Sequence, residues 1–221
     1  MITLKNLKKV YKKEYIYKSS NCTFPDKAIS FLMGKNGSGK TTLIKCIAGL
    51  EEYDGEILFN NKLLSKVKNE CFVIWDDSPC FNNLSGMQNL FILGEEKKDK
   101  KTIGNIAEKY LDKKTLKRKV KSYSYGQRKK LMLALADILE PRYLIMDEVS
   151  NGLDVDMMDE LASHLLIMKE KSTIILTGHQ FSFYEKIAEH IFFKTHDTIE
   201  YIPESERKNK RLEELYHDKL G

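Results

Sequence analysis

Eight residues constrain this chain more than any others: Gly34-Lys35-Asn36-Gly37-Ser38-Gly39-Lys40-Thr41. They fit G-x-x-x-x-G-K-[ST] and stand between an apolar run, AISFLM at 28–33, and a segment of helical spacing at 41–50. Strand, glycine-rich turn and helix are the setting that this pattern needs. The three glycines let backbone N–H groups curl around phosphate oxygens, where a β-carbon would crowd the ligand. The helix beginning near Lys40 turns its positive end toward the same anion. Lys40 can reach the β- and γ-phosphates, the Thr41 hydroxyl can bind Mg²⁺, and Lys35, Asn36, Ser38 and Thr42 line the cradle. A nucleoside triphosphate site is implied, and with it an α/β core.

Two further features complete that chemistry. Leu144-Ile145-Met146-Asp147-Glu148 reads as an apolar strand that ends in two acids. Asp147, at the carboxyl edge of the sheet, can hold Mg²⁺ through water, and Glu148 suits a base that orients the attacking water. His179 follows the strand-like TIIL at 173–176 and can steady the same water or contact the γ-phosphate. The remaining histidines, at 164, 190, 196 and 217, lack such a setting.

The rest of the chain arranges itself around these motifs. The first ten residues alternate and predict one edge of a small antiparallel sheet. Asp54-Gly55 predicts a turn into a strand at 56–59, and CFVIW at 71–75 is strand-like. Lysine-rich segments of helical spacing follow from about Phe81 to Lys121, then a helix from about Tyr125 to Leu139, a strand at 143–146 and a helix near 157–170. A hairpin at 191–202 and a charged helical tail close the chain. The expected fold is α/β, a P-loop NTPase core with a mainly parallel sheet. A small N-terminal antiparallel β subdomain and an inserted helical lobe at about 78–124 complete one domain of 221 residues.

Composition narrows the setting. No stretch approaches the roughly 18–20 apolar residues that cross a bilayer, and the basic amino terminus lacks an apolar secretory core. A cytoplasmic chain is expected, with any membrane role supplied by a partner. Four scattered cysteines form no CxxC pair and read as reduced, small apolar residues. The net charge of +5 is mild, and the lysines of KKTLKRKVK at 113–121 read as a solvated helical face without an aromatic platform for nucleic acid.

In order along the chain these residues resemble the nucleotide-binding domain of the ATP-binding cassette (ABC) family. The order is Tyr11, Gly34–Thr41, a loop after Trp75, the lysine-rich lobe, Tyr123-Ser124-Tyr125-Gly126-Gln127, Asp147-Glu148, Asn151-Gly152-Leu153-Asp154 and His179. The resemblance covers almost the whole chain and implies an ATPase using ATP and Mg²⁺. It also implies a head-to-tail dimer with a second nucleotide-binding domain, homomeric or heteromeric, around two ATP molecules. Tyr11 would stack on adenine, Asp154 would belong to the turn after the acids, and Ser124, Gly126 and Gln127 would serve the partner's ATP. Separate transmembrane permease subunits would place the chain at the inner face of the membrane, with export favoured by the compact lobe and short tail. No direct nucleic-acid contact is expected. The rivals are a soluble ATPase of this family acting on ribosomes or DNA, and a clamp with impaired hydrolysis.

Three positions depart from the family's pattern. Asp76 stands where a glutamine is usual, with Asp77 beside it, and could ligate Mg²⁺ while adding negative charge near the triphosphate. Val149 replaces a proline after the acid pair. Tyr125 replaces the first glycine of the signature, and its ring either turns outward or crowds the partner's ATP; the outward course is expected.

Overall fold

The computed structural model describes residues 1–76, 80–208 and 210–220, which fall into two units, 1–73 with 142–221, and 74–141.

The first unit holds two sheets. Strands β1 (Ile2–Tyr11) and β2 (Glu14–Phe24) form a hairpin, and β4 (Asp54–Phe59) and β5 (Lys62–Leu63) extend it to a four-stranded sheet in the order β2-β1-β4-β5. Its pairings are antiparallel. The sequence did not announce β2. Its hairpin turn is Lys12-Lys13, both at positive φ (45° and 78°), a conformation usually supplied by asparagine or glycine. Between these strands in the chain come β3 (Ile29–Met33) and α1 (Lys40–Ile47).

The larger sheet has the order β10-β9-β3-β8-β7-β6. Strand β6 spans Cys71–Ile74, β7 Tyr143–Met146, β8 Thr173–Thr177, β9 His190–Lys194 and β10 Ile199–Ile202. Strands β7, β8, β3 and β9 pair in parallel and β10 turns back antiparallel on β9. Every residue of β3, β7 and β8 is buried, as parallel strands covered on both faces must be. Each Ile or Leu buried there contributes about 1.5–3 kcal/mol. Burial also pushes the thiols of Cys22 and Cys71 up to about 12 and that of Cys46 to about 11, so the cysteines behave as apolar filler.

The second unit contains α2 (Gly86–Gly94), α3 (Lys100–Tyr110), α4 (Lys113–Lys117) and α5 (Tyr125–Leu139). Their starts are written into the sequence: Ser85 with Gln88, and Ser124 with Gln127, close capping boxes, while Asp99 and Asp112 cap α3 and α4. Contact with α2 and α3 makes α5 part of this unit, so it runs past the 78–124 read from the lysine-rich composition. Thr115, Leu116 and Val120 point inward while Lys113, Lys114, Lys117, Arg118, Lys119 and Lys121 are exposed, the solvated face expected of that stretch.

The first unit closes with α6 (Val155–Met168), α7 (Phe181–Ile187), α8 (Glu204–Arg207) and α9 (Leu212–Asp218). Among the described residues no helix is long and apolar enough to cross a membrane.

Candidate nucleotide site

The loop between β3 and α1 carries the site. Gly37 and Gly39 take φ of 75° and 109°, values that cost L-residues but not glycine. A β-carbon at Gly39 would also collide with the Ile16 side chain. The Tyr17 hydroxyl donates to the Gly39 carbonyl at 2.9 Å and anchors the end of the loop to β2. The loop, Thr42 and Glu148 line a cavity of about 280 Å³.

Lys40 lies inside this loop with its Nζ donating to the carbonyls of Gly34 (2.9 Å) and Lys35 (3.2 Å). Burial lowers its pKa, against the opposing pull of the Glu148 and Asp147 carboxylates. Both of its acceptors are neutral dipoles, so an anionic phosphate is a stronger partner for the same ammonium.

Asp147 is reached from two sides. Thr41 Oγ1 donates to Oδ2 at 2.8 Å, and Thr177 Oγ1 donates to Oδ1 at 2.6 Å. The same Thr177 oxygen accepts the Glu148 backbone N–H at 3.1 Å. Strand register explains this convergence: Met146 pairs with Leu176 across β7 and β8, so the next residues, Asp147 and Thr177, meet at the sheet's carboxyl edge. Behind Thr177, the buried Tyr184 hydroxyl donates to its carbonyl at 2.7 Å and lies 2.9 Å from Ser150 Oγ. Thr177, Tyr184 and Ser150 escaped sequence reasoning, although register would have led to Thr177.

Glu148 leaves the strand at φ 52°, a left-handed conformation that is uncommon for a non-glycine residue and recurs at functional sites. His179 Nε2 stands 3.5 Å from Glu148 Oε1. Burial lowers the histidine's pKa, Lys40 lowers it further and Glu148 opposes both, so the ring is neutral at pH 7. Glu148 Oε2 and His179 Nε2 are buried without a hydrogen-bond partner among the described residues. Buried polar atoms of this kind call for a partner such as water or ligand.

The donor set suits Mg²⁺ completed by substrate oxygens. Among the described residues no three His, Cys, Asp or Glu side chains converge as a metal cage. A hydroxyl and one carboxylate beside a phosphate loop are the protein share typical of Mg²⁺ bound with a nucleotide.

The other expected residues have defined places. Tyr11 ends β1 with its hydroxyl toward Glu51 and Thr42 and with Lys9 Nζ 4.6 Å from its ring centroid, beside the first turn of α1. Asp154 caps α6, accepting the Met157 N–H at 2.9 Å. Val149 is fully buried. Ser124, Gly126, Gln127 and Asp76 belong to the helical unit. There Ser124 Oγ accepts the Gln127 N–H at 3.2 Å and Gln127 Oε1 accepts the Ser124 N–H at 3.0 Å. Tyr125 turns back onto Asp76, its hydroxyl donating to Oδ1. Asp77 lies outside the described residues.

Known proteins with this pattern agree among themselves. The family model described as ABC transporter matches residues 17–151. The chain is 32% identical to the lantibiotic transport ATP-binding protein SrtF of Streptococcus pyogenes, over all of this chain and 97% of that protein. It is 30% identical to the probable ABC transporter ATP-binding protein PEB1C of Campylobacter jejuni, over 96% of this chain and 95% of the relative. A solved ATP-binding subunit of an ABC transporter superposes over the full length of both chains with a TM-score of 0.87 at 20% identity, which speaks for the fold. With the match to the family model and full-length relatives at this identity, the chain belongs to the ABC transporter family, among its ATP-binding subunits.

Proposed function

We propose that this chain hydrolyses ATP to ADP and phosphate and uses the cycle to drive separate membrane-spanning subunits. One observation carries the reading: Thr41, Asp147, Thr177, Glu148 and His179 converge around a glycine loop that already encloses Lys40. Lys40 exchanges its two carbonyl acceptors for phosphate oxygens, and the loop's N–H groups take the rest of the charge. Thr41 and Asp147 would hold Mg²⁺, which when bound draws electron density from the phosphate oxygens. A water oxygen bonds to the γ-phosphorus as that atom's bond to the β–γ bridging oxygen breaks. Glu148 orients this water and accepts its proton, and neutral His179 holds the carboxylate and the water in line. Ser150, Tyr184 and Thr177 keep the acids in place without touching substrate.

The reading includes a dimer in which Ser124, Gly126 and Gln127 face the partner's ATP, Tyr11 lies against adenine and Asp154 borders the interface. Closure on ATP and opening after hydrolysis then move the permease, and the chain sits at the inner face of the membrane through that partner. SrtF is named for lantibiotic transport and MetN of Clostridium tetani for methionine import. For the present chain the compact helical unit favours export. Asp76 receives a different role, argued below.

Glu148→Gln tests the chemistry because the amide keeps the shape and loses the base. The variant should retain ATP, lose at least about a hundredfold in turnover and accumulate as a dimer with ATP in size-exclusion chromatography. An unchanged ATPase rate removes Glu148 as the base.

A further inference from the structure

Asp76 and Tyr125, two of the positions at which this chain leaves its family's pattern, touch each other. The Tyr125 hydroxyl donates to Asp76 Oδ1. The same oxygen lies 3.6 Å from Lys129 Nζ, whose side chain is only 2% exposed. Lys129 also donates to the Trp75 carbonyl at 3.2 Å, and its Nζ stands 5.2 Å from the centroid of the Tyr125 ring. Tyr125 and Lys129 are four apart on α5 and therefore share one face.

Each contact has a physical reason. A buried ammonium needs a counter-charge and polar acceptors, and Asp76, the Trp75 carbonyl and the face of a phenol ring supply them. A glutamine at 76 would bring no charge to Lys129, and a glycine at 125 would bring neither hydroxyl nor ring. The two departures are thus halves of one arrangement. It sits at a sensitive place, because Tyr125 is the first residue of α5, directly after the Ser124 cap and before Gly126. One turn on, Arg128 Nη1 donates to Asn82 Oδ1 at 3.1 Å, a second tie from the same helix start.

We propose that Tyr125, Asp76 and Lys129 are positioning residues that lock Trp75-Asp76, directly after β6, to the first turn of α5, so that these two residues and the turn presenting Ser124 and Gly126 move as one. Asp76 is accordingly an anchor for the helix start. The tyrosine ring is held against its own unit, which leaves the polar edge of the turn accessible. The consequence for turnover rests on the dimer reading above; the mechanical coupling does not.

The test uses the full-length chain with Tyr125→Phe, Asp76→Asn and the double variant. Without nucleotide, hydrogen exchange of the 124–127 amides should quicken about five- to tenfold in each single variant, and the double should be no faster than the faster single, the non-additivity expected of groups that act together. Multiplying effects, or exchange equal to the parent's, overturn the proposal. Where Asp76→Asn is too unstable because Lys129 loses a counter-charge, Asp76→Asn with Lys129→Met replaces it in the same comparison. In ATPase assays Tyr125→Phe should lower kcat about fivefold with KM for ATP within about twofold, a split that general loosening would not produce. Tyr125→Gly turning over faster than the parent would instead mean that the tyrosine obstructs the site. A parent without ATPase activity defeats the functional reading alone, because the exchange result stands apart from it.

Discussion

Lys194 offers the most quantitative test of the physics around the phosphate loop. The last residue of β9, it is 1% exposed, and its Nζ donates to the carbonyls of Thr195 (2.9 Å) and His196 (3.1 Å). It also lies 4.4 Å from the ring centroid of Tyr17, the residue whose hydroxyl holds Gly39. Burial pulls its pKa from the ordinary 10.5 down to about 8, with Asp197 opposing. The unfolded chain therefore binds this proton more tightly than the fold does, and between the two values stability rises with pH. Each tenfold difference in proton affinity is worth about 1.4 kcal/mol, so the full gap corresponds to about 3 kcal/mol, of which about 2 falls between about pH 7.5 and about pH 9.5. Tyrosines and cysteines titrate nearby, so the measurement is a difference: urea unfolding of parent and Lys194→Met at both pH values. The parent should gain about 2 kcal/mol on the variant across the window. A difference that does not move with pH would refute the reasoning, because the lysine would then titrate alike in both states.

Two further outcomes follow from the site. Tyr184→Phe keeps the ring stacked on Phe31, with centroids 4.0 Å apart, but leaves the Thr177 carbonyl and Ser150 hydroxyl short of a partner. Denaturant unfolding should show a loss of about 1–3 kcal/mol, and a change below about 0.5 kcal/mol would mean that these groups find other partners. Because burial and Lys40 lower the pKa of His179, the neutral ring is the native form, and its stabilising share is lost as pH falls below 6.5 toward the lowered folded value. The acid limb of ATPase activity should accordingly lie below pH 6.5 and change shape in His179→Gln; a midpoint above 6.5 contradicts the assignment.

Where sequence reasoning succeeded, the cause was local. The phosphate loop is legible because its glycines, lysine and threonine act within eight consecutive residues, and strand and helix flank them directly. The caps at Ser85, Asp99, Asp112 and Ser124 act just as locally, each side chain bonding a backbone N–H two or three residues ahead; sequence reasoning did not single them out, although the residues for them were legible. Strand β2 was not, because Lys12-Lys13 adopts positive φ without the residues that usually announce it. Lys194 also gave no signal: nothing in a lysine's neighbours along the chain reveals that its ammonium will be buried.

The sequence by itself determined the residues on which the proposed chemistry rests: a glycine-rich loop with its lysine and threonine, two acids at a strand end, a histidine after the next strand, and their order along the chain. Tertiary structure decided which groups hold which. Thr177 reaches Asp147 because β7 and β8 pair in one register, and Tyr184 supports that pair from a helix downstream. Asp76 and Tyr125, forty-nine residues apart, look like two separate defects in a linear reading and are partners in the fold. Contacts of that range depend on burial and strand register, which arise only when the whole chain packs.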